Sequence, residues 1–306
     1  MIDKKWIDYF YSETQLACAA IAIRDDAGTE FIGSAAYLAP GLFITAKHVI
    51  EHPLNKVGIS KEIYENRKYG QIDGSYSTGE FRIEAVQLLK LEEKNAQRWP
   101  LEKMTFSHDF DLAIATTGIT NGPISHLIDD LPTISINIHP IPFKKDVISY
   151  GFYGTSKHSE ENVGTDNHDL TFHGREGSLI DFHLDTASVA GSAVYEIDNK
   201  IEHMMSGGPT VNHEGSIIGV NSSGLDPDDE NPNNRTIVTP FIRAMFMKFE
   251  YWVDGAWSKT SLYELASSGV IEIIGYEHLT QNDEHIIWSP NPNCDYCKRG
   301  TAYHTS

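Results

Sequence analysis

The chain has few cysteines, few cationic residues and no long apolar run. Its three cysteines are too few for the disulfide framework of a secreted protein, and Cys18 sits in an apolar segment as a small buried residue would. Lysine and arginine number 24 against 43 acidic residues, which leaves a formal net charge of −19. That balance argues against a nucleic-acid partner, because phosphate binding needs clustered positive charge. No segment matches a signal peptide or a membrane span, so we expect a cytoplasmic protein with no membrane partner.

What the sequence does contain is typical of an all-β protein. Hydrophobic residues make up 40% of the 306 positions, enough for a full core. Short runs rich in β-branched and aromatic residues alternate with Gly, Asn and Asp. These predicted strands cover residues 16–23, 31–38, 42–45, 81–89, 134–138, 147–150, 216–220 and 236–239. Residues 25–28 and 212–215 are predicted hairpin turns, and residues 241–252 are predicted to form a helix.

Three motifs place a possible catalytic triad on strand ends and loops. Ser206 stands before two glycines and a proline, and a hydrophobic strand, a turn and a second strand follow it. A serine hydroxyl is a weak nucleophile near neutral pH, so it needs a histidine to accept its proton and a carboxylate to orient that histidine. His48 ends an apolar strand, and Asp111 precedes another one. Alone, the serine motif would be a turn, His48 a buried or surface histidine, and Asp111 a strand-end carboxylate with a local hydrogen bond. Together they stand in the order His, Asp, Ser, which is that of chymotrypsin-like enzymes.

These motifs resemble those of the trypsin-like serine peptidases, and most closely the bacterial Deg-type branch. The histidine string is Thr45-Ala46-Lys47-His48-Val49, and the aspartate string is Asp111-Leu112-Ala113. Asp198, Ile201 and Ser206-Gly207-Gly208-Pro209 fit the serine pattern in register. The similarity covers roughly residues 14–248.

The resemblance implies an all-β fold of two six-stranded β-barrels of chymotrypsin type, with a closing C-terminal helix and a short α/β tail. The expected units are an N-terminal barrel lobe over residues 1–130, a C-terminal barrel lobe over 131–252, and an extension over 253–306 whose role is open. His48 and Asp111 would belong to the first lobe and Ser206 to the second.

Two positions near the serine depart from the family. Secreted trypsins carry an aspartate just before the serine that receives a newly cut amino terminus, whereas this chain has Met205, so activation by amino-terminal cleavage is not expected. The oxyanion hole of the family uses the N–H groups of the serine and of a glycine two residues earlier, which correspond here to Ser206 and Met204. A side chain penalises backbone angles that glycine tolerates. We therefore expect in the free chain either a flipped peptide at Met204 or a His48 too far from Ser206 to bond to it.

The same resemblance places the specificity pocket. Its wall would be formed by Ser222, Ser223 and Gly224, and Lys200 occupies the position of the pocket base. Lys200 would favour an acidic substrate side chain if it faced the pocket; the alternative is that it points to solvent. Ser222 is also expected to hydrogen-bond Asp111. The acidic run at residues 225–230 is either a solvated loop or a selectivity element.

The extension carries one Cys-x-x-Cys motif, formed by Cys294 and Cys297. This is half of a tetrahedral zinc site, which His285, His304 or another chain could complete; the alternative is two reduced thiols on a surface turn. A second cysteine pair is missing, so we expect no metal and no cofactor.

The sequence thus predicts a serine endopeptidase that acts on a protein or peptide substrate. The hypothesis that follows from Met204 is that the enzyme is latent until substrate or an activating protein partner orders the oxyanion hole. A catalytically silent module that uses the same cleft to bind a peptide or protein is the alternative.

Overall fold

A computed structural model describes thirteen segments of the chain. They are residues 14–25, 28–56, 70–73, 81–90, 95–107, 109–118, 133–139, 141, 143–155, 169–183, 194–227, 233–281 and 286–288. The predicted boundary at residue 130 lies outside them.

The first lobe is one antiparallel sheet of eight strands. Its strands are β1 (Cys18–Asp25), β2 (Gly28–Ala39), β3 (Leu42–Thr45), β4 (Gly70–Asp73), β5 (Phe81–Lys90), β6 (Asn95–Pro100), β7 (Lys103–Phe106) and β8 (Ala113–Thr116). Their spatial order is β4-β7-β8-β3-β2-β1-β5-β6. Helix α1 (Lys47–Lys56) follows β3 directly.

The second lobe contains a closed six-stranded barrel. Its sheet consists of β9 (Ile136–Asn137), β10 (Asp146–Thr155), β11 (Asp169–His183), β12 (Val194–Ile197), β13 (Pro209–Asn212), β14 (Ile217–Leu225), β15 (Arg235–Pro240) and β18 (Ile273–Ile274). The order is β13-β10-β11-β12-β15-β14-β9-β18, and an additional pairing of β13 with β14 closes the ring. The predicted double β-barrel is therefore confirmed, and so are the eight predicted strands.

Three apolar cores hold this architecture together. One fills the first lobe around Tyr37, Phe43 and Trp99. A second fills the closed barrel and includes Val147 and Val238. The largest core joins strands of both lobes to the chain beyond residue 240, and we infer that burial of its side chains fixes how the two lobes sit against each other.

The predicted closing helix at residues 241–252 was wrong. A 3-10 turn (Phe241–Arg243) is followed by β16 (Phe249–Val253), which pairs with β17 (Ala256–Thr260). Asp254 and Gly255 join the two strands at φ 49° and 84°. Positive φ at both turn residues is the type I′ hairpin geometry, for which Asp-Gly is a favoured pair.

Residues 249–281 continue along both lobes, and we call this segment the strap. At its first-lobe end, the Thr116 hydroxyl donates to the Glu250 carbonyl at 2.8 Å and the Tyr251 hydroxyl to the Pro40 carbonyl at 2.8 Å. After helix α2 (Leu262–Ser267), strand β18 pairs in parallel with β9 of the second lobe. The strap then turns through Tyr276–His278 into β19 (Leu279–Gln281), which pairs with β20 (Ile286–Trp288). The strap therefore begins inside the segment where the closing helix was expected and continues past it.

Among the described residues, neither helix is long and apolar enough to cross a membrane.

Candidate active site

His48 and Asp111 are brought together by two neighbouring strands of the first lobe. Thr45 at the end of β3 pairs with Ala113 at the start of β8. His48 lies in the first turn of α1 just after β3, and Asp111 lies just before β8. The Nδ1 atom of His48 is 2.8 Å from Oδ2 of Asp111, and the backbone N–H of His48 donates to Oδ1 at 3.0 Å. The carboxylate thus binds both the ring and the backbone of the histidine, which fixes the orientation of the imidazole.

The electrostatics of this pair favour its charged form. Burial alone lowers the pKa of His48, but the hydrogen bond and charge of Asp111, with a smaller contribution from Glu51, outweigh it, so that the pKa lies above its usual value. Burial raises the pKa of Asp111, but the hydrogen bonds and charge of His48 outweigh it and hold that pKa below its usual value. The His48 side chain remains 49% exposed, so its ring is accessible to solvent.

Ser222 supports the carboxylate from the second lobe. Its hydroxyl shares a 2.6 Å hydrogen bond with the Thr239 hydroxyl and also contributes to the lowered pKa of Asp111. When Thr239 donates to Ser222, the Ser222 hydroxyl proton is available for Asp111. This arrangement agrees with the expected hydrogen bond from the Ser222 hydroxyl to Asp111.

The Ser206 hydroxyl is engaged elsewhere than at the histidine. In the described part of the chain, Oγ of Ser206 donates to the Ser222 carbonyl at 3.1 Å and makes no hydrogen bond to His48. The ladder between β14 and β15 shifts register between Asn221 and Ser223, so Ser222 sits in a bulge with its carbonyl outside the regular pairing. One of the two features expected of the free chain is therefore present: His48 and Ser206 are not hydrogen-bonded to each other.

The two glycines after Ser206 are required by close packing. A Cβ atom at Gly207, where φ is 85°, would lie 2.1 Å from the Ser34 carbonyl oxygen and from Oγ1 of Thr45. A Cβ atom at Gly208 would lie 2.2 Å from the Tyr150 carbonyl oxygen. Side chains at these positions would push the serine loop away from both lobes.

Met204 occupies a strained turn. The Met205 N–H donates to the Glu202 carbonyl at 3.1 Å, and Met204, the third residue of this turn, has φ 74°. A positive φ at this position alone defines a type II turn, which normally takes glycine there. A side chain in the left-handed region costs about 1–2 kcal/mol. Met204 therefore adopts a left-handed conformation that glycine normally occupies, and its backbone is strained.

Two buried residues that sequence reasoning missed hold the inner side of this loop. Asn221 donates from Nδ2 to the carbonyls of Tyr150 at 2.8 Å and Met205 at 3.2 Å. Ser34 donates from Oγ to the Met204 carbonyl at 2.8 Å, and its backbone N–H donates to the Ser206 carbonyl at 2.8 Å. Neither residue belongs to a catalytic motif, and no local pattern in the sequence marks either one.

The N–H of Ser206 consequently points away from the protein interior. A trans peptide directs its C=O and N–H to opposite sides. The Met205 carbonyl is bound on the inner side by Asn221 and by the Gly208 N–H at 3.1 Å. The Ser206 N–H on the same peptide is therefore directed the other way, as an oxyanion-hole donor must be.

The residues of the predicted pocket lie in two different places, three of them along one strand and Lys200 at the surface. Ser222, Ser223 and Gly224 follow one another on β14, with a Gly224 Cβ position only 3.5 Å from Cγ1 of Ile201. Lys200 instead binds Asp226 at 2.7 Å with 48% of its side chain exposed. The ion pair holds Lys200 at the surface, while the apolar Ile201 borders Gly224.

No cluster of metal-binding side chains occurs in the segments that the structure describes. Cys294 and Cys297, with His285 and His304, lie outside those segments, so the prediction that they hold no zinc stays a prediction.

Comparison with known proteins supports the fold. No family model matches the chain, and no curated protein matches its sequence. Among solved structures, Deg5 superposes with a TM-score of 0.50 at 15% identity, over 78% of this chain and 91% of Deg5. The HtrA-type protease AlgW with decapeptide gives a TM-score of 0.46 at 14% identity, over 75% of this chain and 63% of AlgW. The active form of Rv3671c protease from M. tuberculosis gives 0.45 at 13% identity, over 78% and 82%.

At these identities the likeness concerns the fold, and Deg5 is the neighbour that supports it. The chain has the trypsin-like double-β-barrel fold, and in that fold it is similar to Deg5.

Proposed function

We propose that the protein is a serine endopeptidase whose triad is His48, Asp111 and Ser206. The observation that carries this proposal is the His48 and Asp111 pair, in which Nδ1 is bound to the carboxylate at 2.8 Å. With Nδ1 held, Nε2 is the ring nitrogen left to accept a proton. The raised pKa of His48 suits a general base that works near neutral pH.

The reaction follows from these roles. Nε2 of His48 takes the Ser206 hydroxyl proton as Oγ attacks the scissile carbonyl of a peptide, and Asp111 stabilises the imidazolium that forms. The N–H groups of Ser206 and Met204 receive the negative charge on the carbonyl oxygen. His48 then donates its proton to the leaving amine, and water releases the acyl group from Ser206 by the same steps in reverse.

We further propose that the free enzyme is latent. Two features support this: the Ser206 hydroxyl is bound to the Ser222 carbonyl, and Met204 is strained. Rotation of the central peptide would convert the type II turn into a type I turn and bring φ of Met204 to the ordinary negative range. The Met204 N–H would then leave the oxyanion hole. A bound substrate or an activating protein partner would favour the strained turn, because only that state places the N–H at the developing charge.

For specificity we propose a small or medium apolar side chain at the substrate residue before the scissile bond. Gly224 carries no side chain at the expected pocket wall, and Ile201, whose Cγ1 lies 3.5 Å from the Cβ position of Gly224, is apolar. Lys200 is paired with Asp226 at the surface, so it does not favour an acidic substrate residue. We also propose that the protein is located in the cytoplasm.

The second candidate is a catalytically silent module that binds a peptide in the cleft. The observation that favours it is again the Ser206 hydroxyl, which donates to Ser222 and not to the base.

Reaction with a fluorophosphonate distinguishes the two functions. This probe needs an activated serine, so we expect slow labelling of pure protein, faster labelling after addition of cell extract, and none of Ser206→Ala. Absence of labelling in both conditions, with peptide binding retained, would establish the silent module. Rapid labelling of pure protein would leave a protease but exclude latency.

A further inference from the structure

We propose that Ser34, through its hydroxyl, is a positioning residue for the oxyanion hole. It would align the serine loop of the second lobe, which carries Met204 and Ser206, with His48 of the first lobe. The proposal rests on the proposed peptidase function. Ser34 lies on β2 of the first lobe and is fully buried. Met204 and Ser206, the two residues whose N–H groups would form the hole, belong to the second lobe.

The bonds of Ser34 leave its hydroxyl one direction in which to donate. The backbone N–H of Phe152 on β10 donates to Oγ of Ser34 at 2.8 Å. Because that N–H fills an acceptor position of the oxygen, the hydroxyl proton is directed to the Met204 carbonyl, also at 2.8 Å. The hydroxyl therefore links β10 of the second lobe to the serine loop and fixes the position of the Met204 carbonyl.

Ser34 binds the loop at two points on either side of Met205. Its Oγ binds the Met204 carbonyl, and its backbone N–H binds the Ser206 carbonyl at 2.8 Å. The backbone bond survives any substitution by another amino acid except proline. Loss of the hydroxyl would therefore release the Met204 side of the loop and leave the Ser206 side attached.

The same residue connects the loop to the base. The Thr45 hydroxyl, three positions before His48 at the end of β3, donates to the Ser34 carbonyl at 2.6 Å. A chain of hydrogen bonds thus runs from the segment that carries His48 through Ser34 to Met204 and Ser206. Groups that must meet within fractions of an ångström in the transition state are here tied across the lobe interface.

Strain at Met204 makes this hydroxyl matter for catalysis. A left-handed methionine persists only where its surroundings hold it. With its carbonyl bound by Ser34 and the Met205 N–H bound to Glu202, Met204 is held on its C-terminal side. Removing the hydroxyl lets the strained residue relax, which moves its own N–H out of the hole.

The experiment compares Ser34→Ala with Thr116→Val. Thr116 is the matched control because its buried hydroxyl also donates to a backbone carbonyl of a distant segment, that of Glu250 at 2.8 Å. Both variants lose one such bond, so a general structural effect would appear in both. We expect Ser34→Ala to lower kcat by about 10- to 100-fold with KM within about threefold, since an interaction that acts in the transition state affects kcat. Thr116→Val should keep the kcat of the wild type below its melting temperature.

Two additional variants make the test specific. Ser34→Thr keeps a hydroxyl and should retain kcat within a few-fold. In a Met204→Gly background, the loss on Ser34→Ala should shrink by about tenfold, because glycine needs no support in the left-handed region. Should Ser34→Ala fail to fold, Ser34→Cys replaces it, since a thiol of similar size is a weak donor. Equal kcat in Ser34→Ala and wild type, or equal losses in both methionine and glycine backgrounds, would overturn the proposal.

A readout that needs no catalysis separates this proposal from the proposed function. The ¹³C-methyl NMR signal of Met204 reports the loop directly, and Met204→Leu identifies that signal. We expect Ser34→Ala to shift or broaden it and Thr116→Val to leave it unchanged. If the wild type never cleaves or labels but the signal responds as expected, the peptidase proposal fails and the positioning role of Ser34 stands. An unchanged signal in Ser34→Ala overturns the role of Ser34 whatever the activity.

Discussion

The two lobes differ in how completely each has arranged its part of the proposed active site. In the first lobe, His48 and Asp111 are joined by two hydrogen bonds, and their pKa values are shifted in the directions that suit their proposed roles. In the second lobe, the Ser206 hydroxyl is bound to a backbone carbonyl, and Met204 beside it is strained. A base can be assembled within one sheet, by neighbouring strand ends. The nucleophile must be aligned across an interface, where small adjustments decide whether the two halves meet.

The largest expected effect comes from the groups that the two lobes bring together. Ser206→Ala and His48→Ala should each abolish peptidase activity, because neither half works alone. Asp111→Asn should lower kcat by roughly four orders of magnitude, since an amide cannot hold the same histidine tautomer. The measurement is peptide cleavage by protein that retains the wild-type circular dichroism spectrum. Wild-type cleavage by Ser206→Ala would show that the serine is not the nucleophile.

Met204→Gly would test whether the second lobe is the limiting half. Losing one oxyanion donor typically costs two to three decades in rate. Glycine removes the strain of the left-handed turn, so we expect faster fluorophosphonate labelling of the free protein, by up to about 100-fold. Met247→Gly is a control for loss of a buried methionine side chain outside the loop. Slower labelling of Met204→Gly than of wild type would place the latency elsewhere than in this turn.

Much of this contrast could be predicted from the sequence. The triad motifs and the strands around them are local patterns, so the sequence alone is enough to propose His48, Asp111 and Ser206 as the triad. Ser34 and Asn221 could not, because their importance arises from contacts 170 and 71 positions away in the chain, with Met204 and Tyr150. A buried serine or asparagine carries no signal of the partner that it will meet.

The helix predicted at residues 241–252 failed for a different reason. Residues 241–252 carry apolar side chains at spacings that a helix also shows, and the resemblance favoured a helix there. The Asp254-Gly255 turn, between Trp252-Val253 and Ala256-Trp257, was the signal for the hairpin that forms instead. Tertiary contacts of β16 with the first lobe then stabilise the extended conformation.

Substitutions in the strap test whether this segment stabilises the second lobe. Ile273 is 4% exposed on β18, where it pairs with Ile136 of β9. Ile273→Ala should lower the free energy of unfolding by about 2–4 kcal/mol through lost burial and a cavity, as measured by urea denaturation. Val270→Ala, at an exposed position of the strap, should change it little. If Ile273→Ala unfolded at the same urea concentration as wild type, the strap would not stabilise the second lobe.

The smallest expected effect is on the pH dependence of the first-lobe pair. Because Asp111 and Glu51 raise the pKa of His48 against the effect of burial, the acid limb of kcat/KM should lie above the ordinary histidine value of about 6.5. Glu51→Gln removes one raising charge and should move that limb slightly to lower pH without changing the plateau. Glu264→Gln, a carboxylate of the strap that pairs with Lys248, is the matched control and should leave the limb in place.

The same shifts fix the direction of the stability change with pH. His48 has a raised pKa in the folded state, so its contribution is complete below its unfolded pKa and is lost as pH rises through the folded pKa. Asp111 has a lowered pKa, so its contribution is complete above its unfolded pKa and is lost as pH falls through the folded one. The pair should therefore stabilise the fold most between about pH 4 and pH 6.5, and Asp111→Asn should remove that maximum. An identical pH profile of urea denaturation in Asp111→Asn and wild type would mean that the pair is not formed in solution, and the first lobe would then be no more prepared for catalysis than the second.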